Sequence, residues 1–284
     1  MADHLGETWN QRGNSCIQNW QLSSVEWLSG VSTAHVALCD CPSGRSVLKV
    51  SIQQGMIADE ARALRHFGSS IAPDVYALDE SLEAMLLERI DPGCDLSTLY
   101  PSAVEEVGAW LVLYRNIVNR SEIPSGFPSL ADFASTFDGA LAMTLPSQVR
   151  RLMQISSDHR EVLMESDANN RLLHGDLHHF NILRHDDGRW RLIDPHGVVG
   201  NPLYELGAFL RNPWPNCFRE PGLSDRLEER VALLANALGV PFRTVALFGF
   251  FGASISIAWT LEDEETDYEG MVLMAEASAR LAGL

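Results

Sequence analysis

His174-Gly175-Asp176-Leu177-His178-His179-Phe180-Asn181, followed a few residues later by Arg191-Leu192-Ile193-Asp194, is the stretch that decides how this chain folds. Between the two blocks, Asn181 to Arg184 and Trp190 to Ile193 read as strands, and Asp186-Asp187-Gly188 is a strong turn signal. A loop therefore runs into a short hairpin, and the hairpin returns Asp194 toward the loop that carries Asp176 and Asn181. A single Asp or an isolated Asp-x-x-x-x-Asn is a common accident. The conjunction of His-Gly-Asp, an Asn, a hairpin and a closing Asp is rare.

Phosphoryl transfer to a hydroxyl needs a carboxylate near that hydroxyl and oxygen ligands for magnesium beside the phosphates of ATP. Asp176 is placed to orient the hydroxyl and accept its proton. Asn181 and Asp194 are placed to hold the metal.

Upstream of this core the chain is rich in strands. Val25 to Leu28 leads into a turn of small residues (Ser29, Gly30, Ser32, Thr33), and His35 to Cys41 and Ser46 to Ser51 flank Pro42-Ser43-Gly44. Ala58 to Phe67 has helical spacing, with Gly68 as its stop. Val75 to Leu78 and Ala84 to Leu87 complete a small sheet, after which Asp91-Pro92-Gly93 breaks the pattern. Beyond it, Ala103 to Val118, Gln148 to Met164, Asp225 to Leu238 and Arg243 to Trp259 read as helices. The expected division is a β-rich lobe over residues 1–87, a connection over 88–93 and a mostly helical lobe over 94–284, with a cleft between lobes as the default ligand site.

Composition narrows the partners. A formal net charge of -17 repels phosphate backbones, so nucleic acid and anionic membranes are poor partners and a cationic small molecule is a good one. ATP then has to be held by a few local cations and metal. The chain has 5 cysteines; Cys39-x-Cys41 has no second pair to complete a zinc site, and reduced thiols in a cytosol fit best. The N-terminus shows no signal peptide. Val245 to Trp259 is shorter than the roughly 20 residues a membrane span needs and reads as a buried helix. A cytoplasmic location follows as an expectation, and oligomeric state is left open.

His-Gly-Asp-Leu-His-x-x-Asn with a later Ile-Asp-Pro resembles the aminoglycoside phosphotransferases, relatives of protein kinases. More narrowly, Ile193 to Trp214 and Ser256 to Asp263 resemble the streptomycin 6-kinase and hydroxyurea phosphotransferase branch. The resemblance implies an α+β, protein-kinase-like two-lobed fold, with an antiparallel-sheet N-lobe carrying one helix and a mostly helical C-lobe. It implies ATP and Mg²⁺ as cofactors and a small-molecule alcohol as acceptor.

It also implies further roles. Lys49 would contact the α- and β-phosphates, braced by Glu60, although either Glu60 or the adjacent Asp59 could simply favour the helix N-terminus. Gly30 and Ser32 would lie in a phosphate loop with fewer glycines than protein kinases use. Backbone groups of Glu88 and Ile90 would read the adenine edge. Glu205 either binds substrate or caps its helix and braces the catalytic loop. Glu262 and Asp263 either bind guanidinium or ammonium groups or belong to a solvated acidic loop. Trp214 and Trp259 read as core, and His174 and His178 as structural. No activation segment of the protein-kinase kind follows Asp194, which argues against a protein substrate. Streptomycin is the acceptor the resemblance points to; hydroxyurea, an unidentified metabolite, and a nucleotide-binding pseudokinase that regulates a partner are the rival readings.

Overall fold

The computed structural model describes residues 2–29, 34–164, 169–213, 215 and 222–284. It divides into two compact units, one of Met1–Cys94 with Leu183–His196 and one of Asp95–Ile182 with Gly197–Leu284. The expected division ran without interruption, whereas the hairpin ending at Asp194 belongs with the first unit. That follows from a bond made in folding: the Leu192 N–H donates to the Ile71 carbonyl at 2.7 Å.

In the first unit, β1 (Ser23–Trp27), β2 (Ala34–Cys41), β3 (Gly44–Ser51), β4 (Val75–Asp79) and β5 (Ala84–Glu88) form one antiparallel sheet in the order β1-β2-β3-β5-β4. Alternation sorts the two faces, because successive side chains of a strand point opposite ways. Ala37, Cys39, Leu48, Val50, Ala84 and Leu86 pack on one face with Cys16 and Leu22. Val36, Leu38, Val47, Lys49 and Leu87 stand on the other and line a cleft. Cys16 belongs to a helix not expected from sequence, α1 (Ala2–Asn19), so the described residues of this unit carry two helices. The second, α2 (Met56–Phe67), buries Ile57, Glu60, Ala61, Leu64 and Phe67 at helical spacing. Pro92 to Asp95 does not merely break the pattern; it forms β6, which pairs with the hairpin β8 (Ile182–His185) and β9 (Trp190–Leu192) in the order β6-β8-β9.

The second unit is helical around a two-stranded ladder of β7 (Arg171–Leu173) and β10 (Val198–Gly200). Its helices are α3 (Ala103–Val118), α4 (Leu130–Ala134), α5 (Thr136–Ala142), α6 (Ser147–Asp158), α7 (Glu161–Met164), α8 (Glu205–Leu210), α9 (Leu223–Leu238), α10 (Phe242–Glu262) and α11 (Glu269–Ala282). The single helix expected from Gln148 to Met164 is two, broken at His159 and Arg160. Helix α10 is longer than its sequence reading. At 21 residues it is long and apolar enough to cross a membrane, yet 67% of its apolar window is buried inside the unit. It packs against α11, α8, α5 and α9. An all-round apolar helix in such a setting is a core helix.

Candidate active site

Lys49 reaches the cleft face of β3 because it alternates with the buried Leu48 and Val50. The cleft encloses about 330 Å³ and is mostly apolar, lined by Val36, Leu38, Val47, Leu87, Ile90 and Ile193 among others. At its polar corner the Lys49 Nζ donates to Glu60 Oε2 at 2.7 Å and also to Asp194 Oδ1. Glu60 arrives from the buried face of α2, and Asp194 from the end of the hairpin, in the left-handed region at φ 62° that Asp tolerates better than most residues. Burial pulls the lysine pKa down, but Glu60 and Asp194 outweigh it and hold the ammonium above its ordinary value. One cation thus faces two carboxylates. Burial pushes Glu60 up, to about 7, against the pull of Lys49 and with the help of Asp194. Lys49, Glu60 and Asp194 also border a second cavity of about 190 Å³ with Ser51, Asp59 and His196.

The loop that carries Asp176 and Asn181 is built in the second unit, and its backbone is fastened at nearly every residue. Gly175 turns at φ 86° and gives its N–H to Glu205 Oε1 at 3.2 Å. The Asp176 N–H donates to His174 Nδ1 at 3.2 Å, and Trp110 Nε1 donates to the Leu177 carbonyl at 3.1 Å. Asn181 Nδ2 donates to the Asp176 carbonyl at 3.0 Å, which turns the amide oxygen away from the loop. The Asp176 carboxylate has a partner on each oxygen: Arg211 Nη2 on Oδ1 at 2.5 Å and His178 Nε2 on Oδ2 at 3.3 Å. Beneath it His179 stacks on Phe209, centroids 4.9 Å apart and planes within 8°, with Nε2 3.5 Å from Glu106 Oε2. Burial drives the His179 pKa down to about 4, so the ring is neutral at ordinary pH.

A family model for aminoglycoside/hydroxyurea antibiotic resistance kinases matches residues 19–264. The chain belongs to this family. Among its relatives, a streptomycin 6-kinase of Streptomyces griseus is 24% identical over 274 residues, 93% of this chain and 87% of that protein. A hydroxyurea phosphotransferase of Kitasatospora aureofaciens is 28% identical over 280 residues, 94% of this chain and 78% of that protein. Among solved structures, a thermostable mutant of aminoglycoside phosphotransferase APH(4)-Ia, in ternary complex with ADP and hygromycin B, superposes with a TM-score of 0.70 at 16% identity, over 95% of this chain and 97% of that one. Choline kinase LicA from Streptococcus pneumoniae gives 0.66 at 16% identity, over 95% and 96%. The fold is kinase-like: an antiparallel N-terminal sheet and a helical C-terminal region.

In this member of the family, the residues singled out in the sequence fall into several groups. Lys49, Glu60 and Asp194 meet in the first unit, and Asp59 turns instead to Arg62 at 2.5 Å. Asp176 and Asn181 meet in the His174–Asn181 loop of the second. Glu88 and Ile90 line the apolar cleft, but the Glu88 N–H donates to the Asp74 carbonyl at 2.8 Å, which removes that donor from contact with a base. Gly30, Ser32 and Trp214 lie outside the described residues.

The substrate-binding reading of Glu205 is corrected. Its side chain is fully buried, braces Gly175, and has no surface to offer a substrate. Glu262 and Asp263 are exposed where α10 ends, and Glu262 accepts from the Thr136 hydroxyl. Trp259 packs edge-on to Phe133 at 5.3 Å. Missed altogether were Arg211 and the buried Glu106–Arg230 pair.

Proposed function

We propose that this kinase transfers the γ-phosphoryl group of ATP to a hydroxyl of a cationic small molecule, and that streptomycin is such an acceptor. The observation that carries the reading is the Lys49 ammonium, dry and fixed between Glu60 and Asp194 at the polar corner of an apolar cleft. A flat apolar slot suits a base, and a preorganised cation beside it suits the phosphates attached to that base. In the other unit, Asp176 is the carboxylate that orients the acceptor hydroxyl and takes its proton, steadied by His174, His178 and Asn181. Rate then comes from positioning and charge stabilisation rather than from a covalent intermediate.

Each in its own unit, the two candidate donors are of the kind magnesium accepts. Asp194 brings a carboxylate and Asn181 an amide oxygen, hard ligands of the kind that ion takes. Among the described residues no three His, Cys, Asp or Glu side chains gather into a cage of their own. Magnesium at kinase sites needs no such cage, since one or two protein oxygens suffice alongside phosphates and water. The excess negative charge of the Lys49 corner, one cation against two carboxylates, is also what a cation would relieve. When bound, the ion neutralises phosphate charge; Asp194 and Asn181 are the residues that would hold it.

The relative that phosphorylates hydroxyurea supports a second acceptor, which is small and uncharged. A panel of streptomycin, hygromycin B, choline and hydroxyurea, incubated with Mg-ATP and scored by mass spectrometry for the phosphorylated product, separates the readings. Streptomycin is expected to be converted. Conversion of hydroxyurea with streptomycin, hygromycin B and choline all untouched would reject the cationic acceptor and keep the kinase; no product from any of the four, with no ATP turnover, would reject transfer itself.

A further inference from the structure

Buried side chains tie together the two stretches of chain that hold Asp176. We propose that Arg211 is a positioning residue for the transfer, holding the Asp176 carboxylate in the orientation that meets the acceptor hydroxyl, with Glu106 and Arg230 fixing the backbone from which it reaches. The proposal rests on the reading that Asp176 is the hydroxyl-orienting carboxylate.

The terminal torsion of an Asp side chain is broad, so a carboxylate left to itself swings through many orientations. Asp176 is denied that freedom. Arg211 donates to Oδ1 at 2.5 Å and His178 lies 3.3 Å from Oδ2, so each oxygen is claimed from a different direction. The ion pair is largely out of water, with 11% of the Arg211 and 15% of the Asp176 side chain exposed. An exposed pair of this kind would hold little, because solvent competes and the long arginine stem wanders.

Support for the Arg211 main chain is unusual for a helix end. Arg211 caps α8, and the next residue, Asn212, is buried and tied twice: its Nδ2 donates to the Ala208 carbonyl at 2.9 Å, and its carbonyl accepts from Arg230 Nη1 at 2.6 Å. The second arm of Arg230 donates to Glu106 Oε2, a carboxylate with no exposed surface. That same oxygen is the one near His179, next in sequence to His178. Arg230 also lies over the ring of Phe209, on which His179 stacks. One buried carboxylate therefore joins the two stretches of chain that grip Asp176, namely Arg211-Asn212 on one side and His178-His179 on the other. Burying an arginine and a glutamate is costly, and apolar packing of the same volume would usually serve stability as well. Here the pair also holds the Asn212 carbonyl and the edge of His179, which apolar packing would leave untied.

The test uses the full chain and the acceptor converted most efficiently. Arg211→Ala, Asp176→Ala and the double variant are compared for kcat, for KM of ATP and of acceptor, and for thermal unfolding midpoint. Arg211→Ala is expected to lower kcat about 100-fold, the cost of a small misplacement at a reacting centre, with KM for ATP unchanged. Added guanidinium at millimolar, non-denaturing concentration should restore turnover saturably, which no general loss of structure would allow. On the Asp176→Ala background, Arg211→Ala should cost nothing more, since its target is gone. Full turnover in a folded Arg211→Ala, or an equal additional loss on both backgrounds, overturns the proposal while Asp176 keeps its role. Full turnover in Asp176→Ala overturns both. Should Arg211→Ala fail to fold, Arg211→Lys carries the test: it keeps the charge and most of the packing but not the reach, and a wild-type kcat in it is the contrary result.

Discussion

Glu205 and Lys49 are both ionisable groups taken out of water, and the protein deals with them in opposite ways. Lys49 is given two carboxylates and keeps its charge. Glu205 is given backbone donors at Gly175 and His174, with Asp176 nearby as a like charge, and burial raises its pKa from the ordinary 4.5 to about 7. The sign of the linkage follows. Because the folded value is the higher one, the folded state holds a proton that the unfolded chain has already released between those two values. The stabilising contribution is therefore full below pH 4.5 and is lost as pH rises through about 7. Glu205→Gln keeps an acceptor for Gly175 and cannot ionise. Its stability relative to wild type should rise between pH 5 and pH 8 by up to about 3 kcal/mol, at about 1.4 kcal/mol for each pH unit that separates the folded from the unfolded value. Urea unfolding at the two pH values reads this directly, and a constant difference between variant and wild type would refute it. Sequence could not choose between the two readings of Glu205, since the choice depends on burial, which comes from distant elements. Asp176, Asn181 and Asp194 were legible because one loop and one hairpin supply all three. Arg211 and Glu106 were not, because their partners stand 35 and 124 residues away; Arg211 lies within the recognised Ile193 to Trp214 stretch, but nothing in that stretch says which side chain it meets.

At the scale of elements, the second unit depends on one close crossing. Helix α8 carries Glu205 at its start and leads into Arg211, and it meets α10 where Gly207 faces Gly252. A Cβ on Gly207 would come within 2.7 Å of Gly252 Cα and 3.0 Å of the Phe248 carbonyl oxygen, and one on Gly252 would strike the Gly207 backbone. Neither neighbour is a flexible side chain that could step aside. Gly252→Ala should destabilise the protein by about 1–3 kcal/mol, the usual cost of overpacking, and should lower kcat in the fraction that remains folded, because α8 must shift with Glu205 and Arg211 attached. Gly108 in α3 is the contrast: it is exposed, a Cβ there meets nothing, and Gly108→Ala should gain up to about 1 kcal/mol from helix propensity alone. Thermal midpoints and turnover of the two variants decide it; equal effects would mean that the crossing is not tight. The strands were legible because alternation is a local signal, and β1 to β5 fall close to where it places them. Helix α1 was not. Its polar face and two glycines weaken the helical pattern, and only the sheet it covers makes sense of Cys16 and Ile17. Helix α11 was missed for a related reason. Its buried face is largely Ala, Gly and Ser, which pack closely on α10 without a strong apolar stripe.

The molecule as a whole carries a formal charge of -17, and this field acts on the two substrates of a kinase with opposite sign. In the proposed reaction Mg-ATP is anionic and would enter against it, which would make the buried Lys49 a local exception. A cationic acceptor, as proposed, would be drawn in by the same field, and attraction of this kind raises encounter rates most at low ionic strength. Salt screens it over a Debye length of about 10 Å at 0.1 M and about 3 Å at 1 M. If the acceptor is a polycation such as streptomycin, kcat/KM for it should fall by roughly tenfold between low salt and about 0.5 M sodium chloride, with kcat itself little changed. Hydroxyurea has no charge for the field to act on, so its kcat/KM should be flat across the same range. The exposed acids after Trp259, Glu262 through Asp267, supply much of the local negative density. Replacing Glu264, Glu265 and Asp267 with their amides should therefore reduce the salt slope for a cationic acceptor without altering kcat. Measuring initial rates at limiting acceptor across the salt series tests the field apart from the chemistry. A salt-independent kcat/KM for streptomycin would show that the net charge has no part in how this kinase selects its acceptor.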